Sequence, residues 1–124
     1  MRQVMLPAIA VLALAAAPLA GQSADNRAGN EITLTGRVID VNCHTLGVTG
    51  ASHKQCAQAC AKAGVALAIL SSDGTIYLPI STKPGDPQNS RLMDFAEMKV
   101  KVTGTHRYVN GLHTIEIKSV SPAT

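Results

Sequence analysis

Residues 98–120 constrain the fold more than any other stretch. Val100, Val102, His106 and Tyr108 lie on one side of an alternating run, Asn110 and Gly111 follow, and His113, Ile115 and Ile117 resume the alternation. Asn-Gly between two runs of period two predicts a two-residue β-hairpin turn, because both of its central residues must take positive φ. In that register Tyr108 faces His113 and His106 lies diagonally across, so all three share the face of Val100, Val102, Ile115 and Ile117. His106, Tyr108 and His113 are therefore a secondary candidate patch for a polar ligand, placed where the core face reaches a barrel end. A polar, solvated hairpin tip explains them as well.

The remaining segments fit the same architecture. Residues 32–41 are rich in β-branched side chains, with Ile32, Leu34 and Val38 on one face and Gly36 at a bend or bulge. Residues 65–70 and 75–80 are apolar runs joined through Ser71, Ser72, Asp73 and Gly74, the chemistry of a hairpin turn. Two segments read as helices. Residues 52–62 have Ser52 to start and Gly64 to stop them, and residues 90–97 carry Leu92, Met93 and Ala96 at helical spacing. The order strand, helix, strand, strand, helix, strand, strand predicts a mainly β protein: a five-stranded OB-like barrel with an inserted N-terminal helix and a second short helix.

The first twenty residues stand apart. Arg2 precedes an apolar run over residues 4–19, interrupted by Pro7 and Pro18 and followed by small residues at Ala20, Gly21, Ser23 and Ala24. That order describes a secretory signal peptide, and the run is shorter than the roughly 20 residues needed to span a bilayer. The expected organisation is a signal over residues 1–20, a flexible leader over 21–30 and one domain over 31–121. With no cysteine at the junction to carry lipid, the product should be periplasmic or secreted, without a stable membrane anchor. The stretch MKVKVTGTHRYVNGLHTIEIKSV resembles the closing strands of exported bacterial OB-fold proteins. GRVIDVNC, HKQCAQAC and GVALAILSSDGTIYL are similar to small exported bacterial proteins of uncharacterised function. The resemblance implies fold and compartment and carries no activity.

Chemistry concentrates in the first third of the domain. Cys43 ends the first strand, while His53, Cys56 and Cys60 are separated by three and four residues, which places them on one stripe of a helix. Together they make a Cys₃His set suited to zinc or, with fewer ligands used, to Cu(I). His44 is a weaker substitute ligand, and Asp40 could orient a ligating histidine. The spacing is not that of a zinc finger. An exported chain also meets an oxidising compartment, where Cys43 could pair with Cys56 or Cys60 and leave the third thiol over. On that alternative the protein is an interaction module for an envelope partner, stapled by a disulfide. Thiol redox catalysis is disfavoured, since its cysteines are usually two residues apart at a helix start.

Other functions find little support. No Ser, His and Asp grouping or Gly-rich phosphate loop appears, so the chain reads as a non-enzyme. The eleven Lys and Arg, less Arg2, leave ten against eight Asp and Glu in the processed chain, scattered singly. Two Tyr, one Phe and no Trp offer almost nothing for bases to stack on. The protein should therefore pass unretained over an immobilised oligonucleotide at physiological salt; retention would reveal a basic, stacking surface that the sequence does not show.

Overall fold

In a computed structural model describing residues 24–124, the chain forms strand β1 (Asn26–Asp40), helix α1 (Val41–Thr45), a 3₁₀ turn (Ala51–His53), α2 (Lys54–Lys62), β2 (Leu67–Ser71), β3 (Ile76–Pro79), α3 (Asn89–Leu92), a second 3₁₀ turn (Met93–Phe95), β4 (Lys99–Val109) and β5 (Leu112–Pro122). The strands close in the order β1-β2-β3-β5-β4, antiparallel except for β3 against β5. This is the five-stranded, OB-like barrel that the element order predicts. The signal expected over residues 1–20 lies outside the described residues.

The strands form where alternation and turn chemistry agree. Asn110 (φ 51°) and Gly111 (φ 85°) make the expected turn, and Tyr108 pairs with His113. The inward residues Val100, Val102, Ile115 and Ile117 are buried with Val38, Leu67, Ile69, Leu92 and Ala61 in one core. Each large aliphatic side chain buried this way contributes about 1.5–3 kcal/mol, so nine small and medium residues stabilise the barrel only if they pack closely. Close strand approach is built in at Gly104, where β5 carries Lys118 as an extra residue between the pairs Thr103↔Ser119 and Gly104↔Ile117.

β1 organises the rest. It pairs with β4 through Arg37 and with β2 from Gly36 onward, so Gly36 faces both Val100 and Ser71. A Cβ there would stand 2.6 Å from the Leu70 carbonyl oxygen, which explains the glycine. Past this point Val38, Ile39 and Asp40 are all buried in sequence. A strand buried on both faces is covered on both, and the second cover is the inserted α2, which packs on β1.

Two expectations are revised. β1 begins at Asn26, inside the stretch read as a flexible leader: the Gly29 N–H donates to Asn26 Oδ1, Asn26 Nδ2 donates to Asn30 Oδ1, and the strand pairs as far as Tyr108. Local side-chain bonds around a bulge thus order a polar segment that lacks hydrophobic period. The insertion is also more than one helix, since α1 follows β1 directly with Asp40 as its N-cap.

Gly104→Ala tests the barrel's closest approach. The new Cβ would meet the Glu116 carbonyl oxygen at 2.4 Å, so the variant should lose about 1–3 kcal/mol of stability, read as a lower denaturant midpoint at unchanged m. An unchanged midpoint would show that β4 and β5 are further apart here than described.

Candidate metal centre

The site lies where β1 runs out and the insertion crosses its end. Val41 N–H donates to the Ala66 carbonyl, fixing α1 beside β2, and Asp40 Oδ1 accepts the Cys43 N–H at 2.9 Å. This cap turns the chain sharply enough to bring Cys43 back over the end of the barrel. α2 lies across it with Ala57 and Ala61 buried against the barrel and Cys56 and Cys60 on the adjoining stripe. The helix ends in a Schellman motif: Val65 N–H donates to the Cys60 carbonyl, Gly64 N–H donates to Ala61, and Gly64 takes φ 100°.

Asn89 fixes that end. Its Nδ2 donates to the carbonyls of Ala61 and Val65, and its Oδ1 accepts from Leu67 N–H. One side chain thereby joins α2, β2 and α3. Nothing in the sequence marks it, since an Asn in a loop before a helix usually caps that helix.

The result is that the Sγ atoms of Cys43, Cys56 and Cys60 lie within 4.8 Å of one another, with Cys56 exposed and the other two half-buried. Around an ion with metal–sulfur bonds of about 2.3 Å, tetrahedral sulfurs sit roughly 3.8 Å apart, so a shift of about an ångström closes the group on a cation. Two of the three could instead join as a disulfide.

His53 stands outside this group. Its buried ring directs Nδ1 to Glu97 Oε1 at 3.0 Å. The physical reason is axial rise: seven residues of helix separate His53 from Cys60 by about 10 Å, so a shared face does not give a shared ion. The set of four expected from the spacing is therefore three sulfurs. His44 and Asp40 remain next to them in the chain, and Asp40, expected to orient a histidine, caps α1 instead.

His53 serves as half of a clamp. Glu97 sits at φ 62°, rare for a residue with a side chain, and its buried carboxylate accepts from Gly50 N–H (2.9 Å), Thr49 Oγ1 (3.2 Å) and the His53 ring, with Arg37 Nε at 4.0 Å. Burial alone would raise the Glu97 pKa, but these partners hold it below the ordinary carboxylate value. The loop leading into α2 is thus tied to the start of β4.

Cys43 and Cys60 are shifted away from nucleophilic tuning. The Asp40 carboxylate, which the Cys60 thiol faces, and burial push the Cys60 pKa up to about 12. Burial, then Asp40 and Cys56, raise that of Cys43. A thiol-exchange site needs the reverse shift, so redox catalysis gains no support.

The secondary patch assembles as expected. His106 Nε2 and His113 Nδ1 are 3.0 Å apart, Tyr108 lies 4.6 Å from His113 between ring centroids, and Tyr77 edges onto both imidazoles. The imidazole planes differ by only 10° with centroids 5.2 Å apart, so the rings meet end to end through that bond. Burial and the neighbouring His113 lower the His106 pKa.

Among the described residues no helix is long and apolar enough to cross a membrane. Compared with protein-family models, curated proteins and solved structures, the chain matches none.

Because the Glu97 pKa is lowered by folding, the native state binds fewer protons than the unfolded chain, and the clamp stabilises in full above the unfolded value near 4.3 and less as pH falls below it. Glu97→Gln should cost about 1–3 kcal/mol at pH 7 in urea unfolding, and the gap to the parent protein should shrink towards pH 3. A gap independent of pH would show that the charge of Glu97 is not what the clamp uses.

Proposed function

We propose that this is an exported, non-enzymatic metal-binding protein whose Cys43, Cys56 and Cys60 hold a zinc or copper ion at the end of an OB-like barrel. The observation that carries the reading is the convergence of three sulfurs from two separate elements. A disulfide framework needs two, and a third thiol brought equally close has no structural task, whereas a soft or borderline cation uses all three. The N-terminal pattern of Arg2, an apolar run and small residues supports export to the periplasm or beyond. With Cys56 exposed, the ion would be within reach of a partner, which suits cargo as well as a structural ion.

The test is metal content and intact mass of the protein purified from the periplasm. One ion per chain is expected, with Cys43→Ser, Cys56→Ser and Cys60→Ser each lowering it, and with His53→Ala keeping its stoichiometry while losing stability. A mass short by two hydrogens, no metal, and one cysteine whose replacement is silent would establish the disulfide-stapled interaction module instead, in which reduction costs about 2–4 kcal/mol. Metal bound equally well with all three cysteines replaced would remove the thiol site altogether.

A further inference from the structure

Asp40 and Glu97 are the two acidic residues buried among those described, and they are treated differently. Glu97 receives a backbone N–H, a hydroxyl, an imidazole and a nearby guanidinium. Asp40 is 1% exposed, makes no ion pair among the described residues, and has one hydrogen bond, from Cys43 N–H to Oδ1. Its Oδ2 is buried with no hydrogen-bond partner, and the carboxylate stands beside the Cys60 thiol. A carboxylate buried with one of its oxygens unpartnered is poorly compensated for leaving water. A cation held by the three sulfurs would give the carboxylate a partner, since Asp40 acts electrostatically on both Cys43 and Cys60.

We infer that Asp40 is the fourth anionic partner of the ion held by Cys43, Cys56 and Cys60, and that it makes the site one for a divalent cation of the zinc class. The inference rests on the thiol site proposed above and adds the charge of its occupant. Three thiolates and a carboxylate place four negative charges around the ion. A monovalent ion such as Cu(I) would leave three of them uncompensated at a half-buried position; a divalent ion leaves two. The attraction between Asp40 and the ion scales with the ion's charge, so the carboxylate favours the divalent occupant. Asp40 is not among the ligand atoms that lie within 4.8 Å of one another, so it acts on the ion through its charge, and a carboxylate is a group that zinc favours and Cu(I) does not. A disulfide between two of the cysteines would leave Oδ2 as it is.

Asp40→Asn isolates this charge. Asn caps a helix as well as Asp does, so the bond from Cys43 N–H to Oδ1 and the turn into α1 survive, and a melting temperature of the metal-free variant no lower than the parent's verifies it. Zinc and Cu(I) affinities are measured separately for the parent protein and the variant by competition against chelators of known affinity. The zinc constant should fall at least about tenfold further than the Cu(I) constant. Equal losses for the two ions, no loss, or a larger loss for Cu(I) would overturn the role of Asp40 while leaving the thiol site intact. If the parent protein binds neither ion, the thiol site itself fails and the inference falls with it. The two failures are thus told apart by the parent protein alone.

Discussion

The handover of β1 from β4 to β2 at Gly36 is the constraint on which the rest depends. Before it the strand belongs to β4, after it to β2, and the switch both closes the barrel and carries Val38, Ile39 and Asp40 under cover. No side chain fits at that point, because the Leu70 carbonyl is already within contact of where a Cβ would be. Once the strand end is buried on both faces, its last residue must be polar yet buried in order to turn the chain. Asp40 meets the first need through its bond to Cys43 N–H and creates the second problem, an oxygen without a partner. The fold and the candidate site are therefore linked through one residue.

The insertion could not hold the thiols in place by hydrophobic packing alone. α2 is nine residues long and buries only two alanines, far too little apolar surface to fix its position. Polar ties supply the remainder: Glu97 secures the loop before the helix, Asn89 its C-terminal end, and Gln58 Nε2 donates to the Met93 carbonyl in between. Directional bonds at both ends set the helix's rotation as well as its location. For a group of ligands rotation matters more, since turning α2 by one residue would replace Cys56 and Cys60 with Gln55 and Ala59 or with Ala57 and Ala61.

Much of this was legible in the sequence, and the division has physical causes. The 98–120 hairpin was legible because turn chemistry and alternation are local, and its register followed from Asn110 and Gly111 alone. The strand count and the barrel followed from the element order, and the closeness of Cys43, Cys56 and Cys60 from helical spacing and the short stretch of chain between Cys43 and the helix. α1 was not legible: five residues, VNCHT, carry no helical period and owe their form to the Asp40 cap. The ordering of residues 26–30 depends on pairing with β4 over seventy residues away, which no local pattern reveals. His53 shows a third kind of limit. Helical spacing gives the face a residue shares and says nothing of its height along the axis, nor of a distant carboxylate such as Glu97 that claims it first.

The contrast between the two buried acids also bears on how the site arose within this fold. Glu97 accepts a strained backbone at φ 62° and gains a full set of donors, so its charge is settled by the protein itself. Asp40 sits in unstrained extended backbone at φ −78° and ψ 117° and has one donor. Capping α1 requires only an acceptor, which Ser, Thr or Asn would supply without bringing a charge into the interior. The charge is thus surplus to the turn that Asp40 makes. A positive group arriving beside the three neighbouring sulfurs would offset that charge.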